Sequence, residues 1–171
     1  MKICNEAIEL IKHFEGLHDG NLSKIGLQPK MCPAGIWTVG YGHALRNHAG
    51  QWLRGQKDKE VAYNHSLNDI TEAEATALLQ LDLCEYARHV DRLALVTLED
   101  HEFGALTSLC YNIGIKAFEE STALNKLNNL DFDGCSSAMK LFNKVSGRIM
   151  TGLILRREAE VRLFNGEEWC V

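Results

Sequence analysis

Apolar residues recur at helical spacing at both ends of the chain and at strand spacing in one short stretch between them. Ile8, Ile11 and Glu15 fall at i, i+3 and i+7, so they share one face of a helix that Asn5 can cap and whose early turns carry Glu6 and Glu9. Gly16 predicts its end. The segment 16–35, GLHDGNLSKIGLQPKMCPAG, holds both prolines of the chain and several glycines, which predicts loop or short hairpin. In GIWTVGYGH, at 35–43, Trp37, Val39 and Tyr41 alternate with Ile36, Thr38 and Gly40 at the period of a strand. Residues 44–69 are polar and irregular and read as an ordered but variable loop region.

From Thr71 the period returns to that of a helix. Thr71 and Glu74 form a capping box, and Ala75, Leu78, Leu79, Asp82, Tyr86 and Val90 mark one face, with an aspartate interrupting the apolar stripe. Phe103, Leu106, Cys110 and Ile113 place a further helix from about Glu99 to Gly114. Shorter helices are expected over 118–129 and 133–144, and Thr151 can cap a last one running to Phe164. One helix, a small Gly-rich β element and then several helices make an α+β protein, predominantly α-helical, with room for a cleft between the β element and the helical body.

Composition narrows the field. At 171 residues, 46% hydrophobic and 24% charged, the chain suits one globular domain and excludes disorder as its main state. A net charge of −5 argues against nucleic acid held by bulk positive charge. A local excess of cations nevertheless lies between Lys126 and Arg162, seven against four acids, which suits an anionic polymer modestly. Six scattered cysteines without a CxxC pair read as reduced thiols. Lys2, Glu6, Glu9 and Lys12 interrupt the N-terminal segment, so no signal peptide or stable membrane insertion is expected there, and synthesis is expected to end in the cytoplasm.

Glu15 is the first chemical candidate. A carboxyl group on the inner face of a helix, at its C-terminal end, meets desolvation and the negative end of the dipole, and both favour the protonated form that general acid catalysis needs. The competing reading is a solvated helix-end glutamate. On pattern alone Thr38 is an ordinary strand threonine and Cys32 a small, partly buried thiol. An aspartate within an apolar stripe, Asp82, must neutralise or find a partner. The GxG of TVGYGH lacks the rest of a dinucleotide fingerprint and is set aside.

FEGL at 14–17, CPAGIWTVGYGH at 32–43, YNIG at 111–114 and GLILRREAEVRLF at 152–164 together resemble the phage-type lysozymes, the muramidase endolysins, in the expected order and over most of the chain. The resemblance implies a lysozyme-like catalytic domain over 1–171, with a β/loop lobe at about 16–70 and a helical lobe from 1–15 and 71–171. It implies cleavage of the β-1,4 bond between N-acetylmuramic acid and N-acetylglucosamine in bacterial peptidoglycan, without a cofactor. In the family's Glu, Asp, Thr set, Glu15 takes the acid position and Thr38 the threonine position. Cys32 stands six residues before that threonine, where the aspartate is usual, as in a branch carrying CPAG.

Three accounts of that departure stay open. A Cys32 thiolate acts as base or nucleophile where positive groups favour it. Asp19, from the longer segment after Glu15, supplies the carboxylate instead. No base is needed if the substrate's own group displaces the leaving sugar, as in a lytic transglycosylase. A binding module that has lost catalysis is a further alternative. The resemblance also pairs His43 with Asp82 as a structural ion pair, lines the glycan site with Tyr111 and Asn112, and brings Arg156 toward Glu15 or the glycan. Of the neighbours Arg156 and Arg157, one is expected inward and the other toward solvent. Cys32, His18 and His43 lack a paired-ligand spacing, so no metal is expected. The implied partners are glycan strands and a holin-type protein that opens the path from the host cytoplasm to the periplasm and cell wall at lysis; the implied state is monomeric.

Overall fold

The computed structural model describes residues 2–17, 19–20 and 26–170. Helix α1 spans Asn5–Glu15 and buries Ala7, Ile8, Leu10 and Ile11. Asn5 is its first helical residue, and the Ile8 N–H donates to the Cys4 carbonyl at 3.3 Å. Gly16, at φ +69, turns the chain out of the helix, a conformation glycine adopts at little cost.

Three short strands follow, β1 Lys30–Met31, β2 Trp37–Val39 and β3 His43–Ala44, in an antiparallel sheet of that order. Lys30 pairs with Thr38 and Met31 with Trp37, while Thr38 pairs with Ala44 and Val39 with His43. Trp37, Thr38 and Val39 are all buried. The loop region packs back on the Trp37 face of the sheet: Trp37 donates to the Gly55 carbonyl at 2.8 Å, and its ring meets Tyr63 edge-on. That region, 44–69, holds isolated bridges (Ile36 to Arg54, Arg46 to Trp52), a 3₁₀ turn at Gln56–Asp58 and α2 at Lys59–Tyr63.

Helix α3, Glu72–Leu93, begins at the expected capping box, with Thr71 N–H and Oγ1 donating to Glu74 Oε2 at 2.7 and 2.9 Å. Helix α4, Asp100–Ile113, begins at a second box, Glu99 with Glu102, and ends at Gly114 (φ +88). The expected 118–129 helix is two helices, α5 Ile115–Glu119 and α6 Thr122–Asn128, because the Ser121 hydroxyl accepts from Leu124 N–H and starts a new one. The expected 133–144 helix is α7, Phe132–Met139, capped by Asp131. Beyond it the chain forms a hairpin of β4 Lys144–Val145 and β5 Arg148–Ile149, then α8 Thr151–Phe164. Of the expected α3 face Ala75, Leu79 and Val90 are buried and Leu78, Asp82 and Tyr86 half-buried, whereas α4 is buried all round over 103–110.

The chain divides into two compact units. One is built from residues 1–14 and 83–171, the other from 15–82. The first holds a large hydrophobic cluster, including Leu10, Val90, Phe103, Leu106, Leu109, Phe118, Leu127 and Phe164, in which α4 packs on α8 and α6 on α7. The second is organised around the three-stranded sheet. Gly40, at φ +62, lets the backbone approach α3 so closely that an added Cβ would lie 2.7 Å from Ala75 Cβ.

Candidate active site

Glu15, Cys32, Thr38, His43 and Asp82 all belong to the 15–82 unit. Glu15 closes α1 and is half-buried. Cys32 follows β1 in the turn written CPAG: its N–H donates to the Ile36 carbonyl and its carbonyl accepts from Gly35 N–H, each at 2.8 Å. Thr38 sits mid-strand, 5% exposed, and its Oγ1 donates to the Lys30 carbonyl at 3.0 Å. Because Lys30 faces Thr38 and the pairing continues to Cys32 opposite Ile36, the register puts Cys32 and Thr38 on one face of the ribbon. They are diagonal neighbours, a relation that typically separates Cβ atoms by roughly 7–8 Å. The bond to the Lys30 carbonyl orients the Thr38 hydroxyl proton.

Asp19 is tied into its own loop. Its Oδ1 accepts from Gln28 N–H at 3.1 Å, and Gly20 N–H donates to the Gln28 carbonyl at 2.9 Å. Gln28 is buried and donates through its amide to Asp69. His43, on β3, places Nδ1 at 2.9 and 3.1 Å from the two Asp82 carboxylate oxygens, tying the sheet to α3. His18 lies outside the described residues, and among those described no group of three His, Cys, Asp or Glu side chains is arranged to hold a metal.

Tyr111, Asn112 and Arg156 belong to the other unit. The Tyr111 ring meets Tyr86 edge-on at 5.0 Å, and Asn112 Oδ1 accepts from Arg157 Nη2 at 3.0 Å. Arg156 and Arg157 are 3% and 1% exposed, so the expectation that one of them faces solvent is corrected: both are drawn inward by Glu160, itself fully buried. Arg156 Nε lies 3.2 Å from Glu160 Oε1 and Arg157 Nε 3.0 Å from Oε2, while Ser108 donates to Oε1 at 2.7 Å. Burial pushes the Glu160 carboxyl up, and the Arg157 and Arg156 guanidiniums and the Ser108 hydroxyl pull against it. Sequence reasoning missed Glu160 and Ser108. Glu160 left a signal, three and four residues beyond the two arginines on one helix, whereas nothing local marks Ser108.

All six cysteines are free. Burial pushes the Cys110 and Cys135 thiols up to about 12, which leaves them inert packing residues, whereas Cys32 is partly exposed.

The family model for phage lysozyme matches residues 12–160, which takes in Glu15, the CPAGIWTVGYGH block and both arginines. The chain belongs to the phage lysozyme family. It is 34% identical over 170 residues to an endolysin of Acyrthosiphon pisum secondary endosymbiont phage 1, covering 96% of this chain and 99% of that one. Among solved structures, it resembles the endolysin from Escherichia coli O157:H7 phage FAHEc1 (TM-score 0.74, 28% identity, 96% and 93% of the two chains). It also resembles the muramidase domain of SpmX from Asticaccaulis excentricus (TM-score 0.73, 32% identity, 95% and 97%). In this phage lysozyme the turn between β1 and β2 is CPAG, and Thr38 is the β2 residue whose hydroxyl donates across to β1.

Proposed function

We propose that this phage lysozyme is an endolysin that hydrolyses the β-1,4 bond between N-acetylmuramic acid and N-acetylglucosamine in peptidoglycan. The family match over 12–160, with Glu15 and Thr38 inside it, carries the reading. Glu15 donates its proton to the glycosidic oxygen as the bond from the anomeric carbon breaks. A water oxygen bonds to that carbon from the opposite face, which inverts the centre and leaves a reducing end. Thr38 accepts a hydrogen bond from that water, and Cys32, as its thiolate, takes the proton that is lost and becomes the thiol. The shared face of Cys32 and Thr38 and the engagement of Asp19 with Gln28 favour Cys32 over Asp19 in that role.

Tyr111 covers a sugar face, and the Asn112 amide donates to the glycan while Arg157 holds its oxygen. Arg156 acts behind them as a positioning residue, through the Glu160 it shares with Arg157. His43 and Asp82 serve the sheet as a structural pair. The whole chain, 1–171, works as one monomeric catalytic domain that needs no cofactor or metal. No helix among the described residues is long and apolar enough to cross a membrane. In this reading a holin-type protein opens the path, and the enzyme passes from the host cytoplasm to the wall at lysis.

Digestion of purified peptidoglycan, with mass analysis of the released sugars, tests the proposal. Wild type is expected to yield reducing ends, and Glu15→Gln to lose at least about 100-fold in rate with an unchanged melting temperature. Cys32→Ser is expected to lose activity and Asp19→Asn to keep it; the reverse moves the base to Asp19. The 1,6-anhydro ends of a transglycosylase, or wall binding without sugar release, would overturn hydrolysis.

A further inference from the structure

Between Gly134 and Arg157 the chain carries no acid, and its charged residues there are Lys140, Lys144, Arg148, Arg156 and Arg157. The fold separates these five. Arg156 and Arg157 are buried on Glu160, whereas Lys140, Lys144 and Arg148 are exposed and form no ion pair among the described residues. The flanking cations differ from them, since Lys126 lies 2.8 Å from Asp131 and Arg162 3.8 Å from Glu167. The local cation excess is therefore concentrated at the β4–β5 hairpin.

The same place exposes large apolar side chains. Leu141, Val145 and Ile149 are 70%, 56% and 62% exposed, and Met150 is 45%. Ser146 (φ +49) and Gly147 (φ +80) form the two-residue turn, both in the left-handed region that such hairpins use. Lys144 pairs with Ile149 and Val145 with Arg148, so each face of the ribbon presents one apolar side chain beside one cation. Residues 144–152 are exposed without interruption, so these apolar groups contribute nothing to the core.

We propose that this hairpin, with Leu141 and Met150, is a peripheral docking edge for an anionic lipid bilayer. Apolar side chains sink to the boundary of headgroups and acyl chains, while the lysine and arginine stems reach back to lipid phosphates. The absence of acids over 134–157 removes the repulsion that a chain of net charge −5 otherwise presents to such a surface. Branched and linear aliphatic groups gain nothing from a phosphodiester backbone, which disfavours nucleic acid. A second copy of the same edge brings like charges together. The contact is interfacial and reversible, and it leaves peptidoglycan hydrolysis to the residues described above.

The test is co-sedimentation of the full chain with vesicles of phosphatidylcholine alone and of phosphatidylcholine with phosphatidylglycerol, over a range of salt. Binding is expected to the anionic vesicles only and to weaken with salt. Lys144→Glu with Arg148→Glu is expected to weaken it by about 20-fold or more. Lys57→Glu with Lys116→Glu, the same charge change elsewhere, is expected to leave it nearly unchanged. Val145→Ser with Ile149→Ser lowers binding on anionic vesicles without altering the salt dependence. Circular dichroism melts and hydrolysis of purified peptidoglycan are expected to match wild type for the hairpin variants. No binding, equal binding to both vesicle types, insensitivity to the hairpin variants or an equal loss in the Lys57 and Lys116 control overturns the proposal. So does a folded hairpin variant that loses hydrolysis, which makes the edge a glycan contact, or a wild-type dimer that the hairpin variants dissolve.

Discussion

In the helical unit, Phe103, Leu106 and Leu109 of α4 join Leu163 and Phe164 of α8 in one buried cluster; in residues 15–82 the strands are two or three residues long and the chain is held by turns, bridges and single hydrogen bonds. Seven of the ten glycines with positive φ lie in 15–82, at 16, 26, 35, 40, 42, 50 and 55, though that unit is the shorter one. Both regions bury apolar side chains, Trp37, Val39, Leu45 and Leu53 among them in 15–82, but the smaller one relies more on the conformations its backbone can reach. The placement of polar groups differs accordingly. The helical unit sinks two guanidiniums and a carboxylate into its interior, whereas the smaller unit pins Thr38, Asp19 and the CPAG turn on backbone groups. The candidate acid Glu15 and the candidates Cys32 and Thr38 sit in the unit richer in such backbone turns, and Tyr111, Asn112 and Arg156 in the helical one.

The sharpest way to break this comparison is Glu160→Gln. It leaves Arg156 and Arg157 buried without their carboxylate, and a loss of roughly 3–5 kcal/mol in thermal unfolding is expected. A loss below about 1 kcal/mol would mean that the helical unit does not depend on this buried charge. Next in size is Gly40→Ala, which adds a Cβ 2.7 Å from Ala75 Cβ at a left-handed φ. About 1–3 kcal/mol is expected. Pairing it with Ala75→Gly should restore only the steric part, and full restoration would show that the backbone conformation itself costs nothing.

The smallest effect compares one carboxyl from each unit. The Thr71 backbone N–H and hydroxyl hold Glu74 below the usual glutamate range, and the Lys126 ammonium and the Gly134 N–H hold Asp131 below the usual aspartate range. A depressed folded value means each contributes stability above the unfolded carboxylate range, near pH 4, and loses it as pH falls through the folded value. Glu74→Gln and Asp131→Asn should therefore lower the melting temperature slightly at pH 7 and not at all near pH 2. A decrement that persists at low pH would assign the effect to packing.

Long helices were legible because their apolar spacing and caps are local: the Thr71 and Glu74 box, the face from Phe103 to Ile113 and the stop at Gly114 all appear where the pattern put them. The break at Ser121 and the hairpin after α7 were not legible, because a serine cap and a Ser-Gly turn compete with helix only once their neighbours are packed. The cover on Trp37 was not legible either, since it comes from Gly55 and Tyr63, far along the chain. In the candidate site, motif order was enough to name Glu15, Cys32 and Thr38. It said nothing of Lys30 as the acceptor that orients Thr38, because that contact is set by strand register.

The long helices, the glycine-rich β element and membership in the phage lysozyme family were determined by the residues alone, through spacing, caps and motif order that act within a few positions. Tertiary structure decided the inward turn of both arginines, the buried Glu160 and Ser108 that receive them and the exposure of the 144–149 hairpin. These depend on which distant group arrives to neutralise a charge or cover a face, and desolvation makes that choice only when the chain has folded.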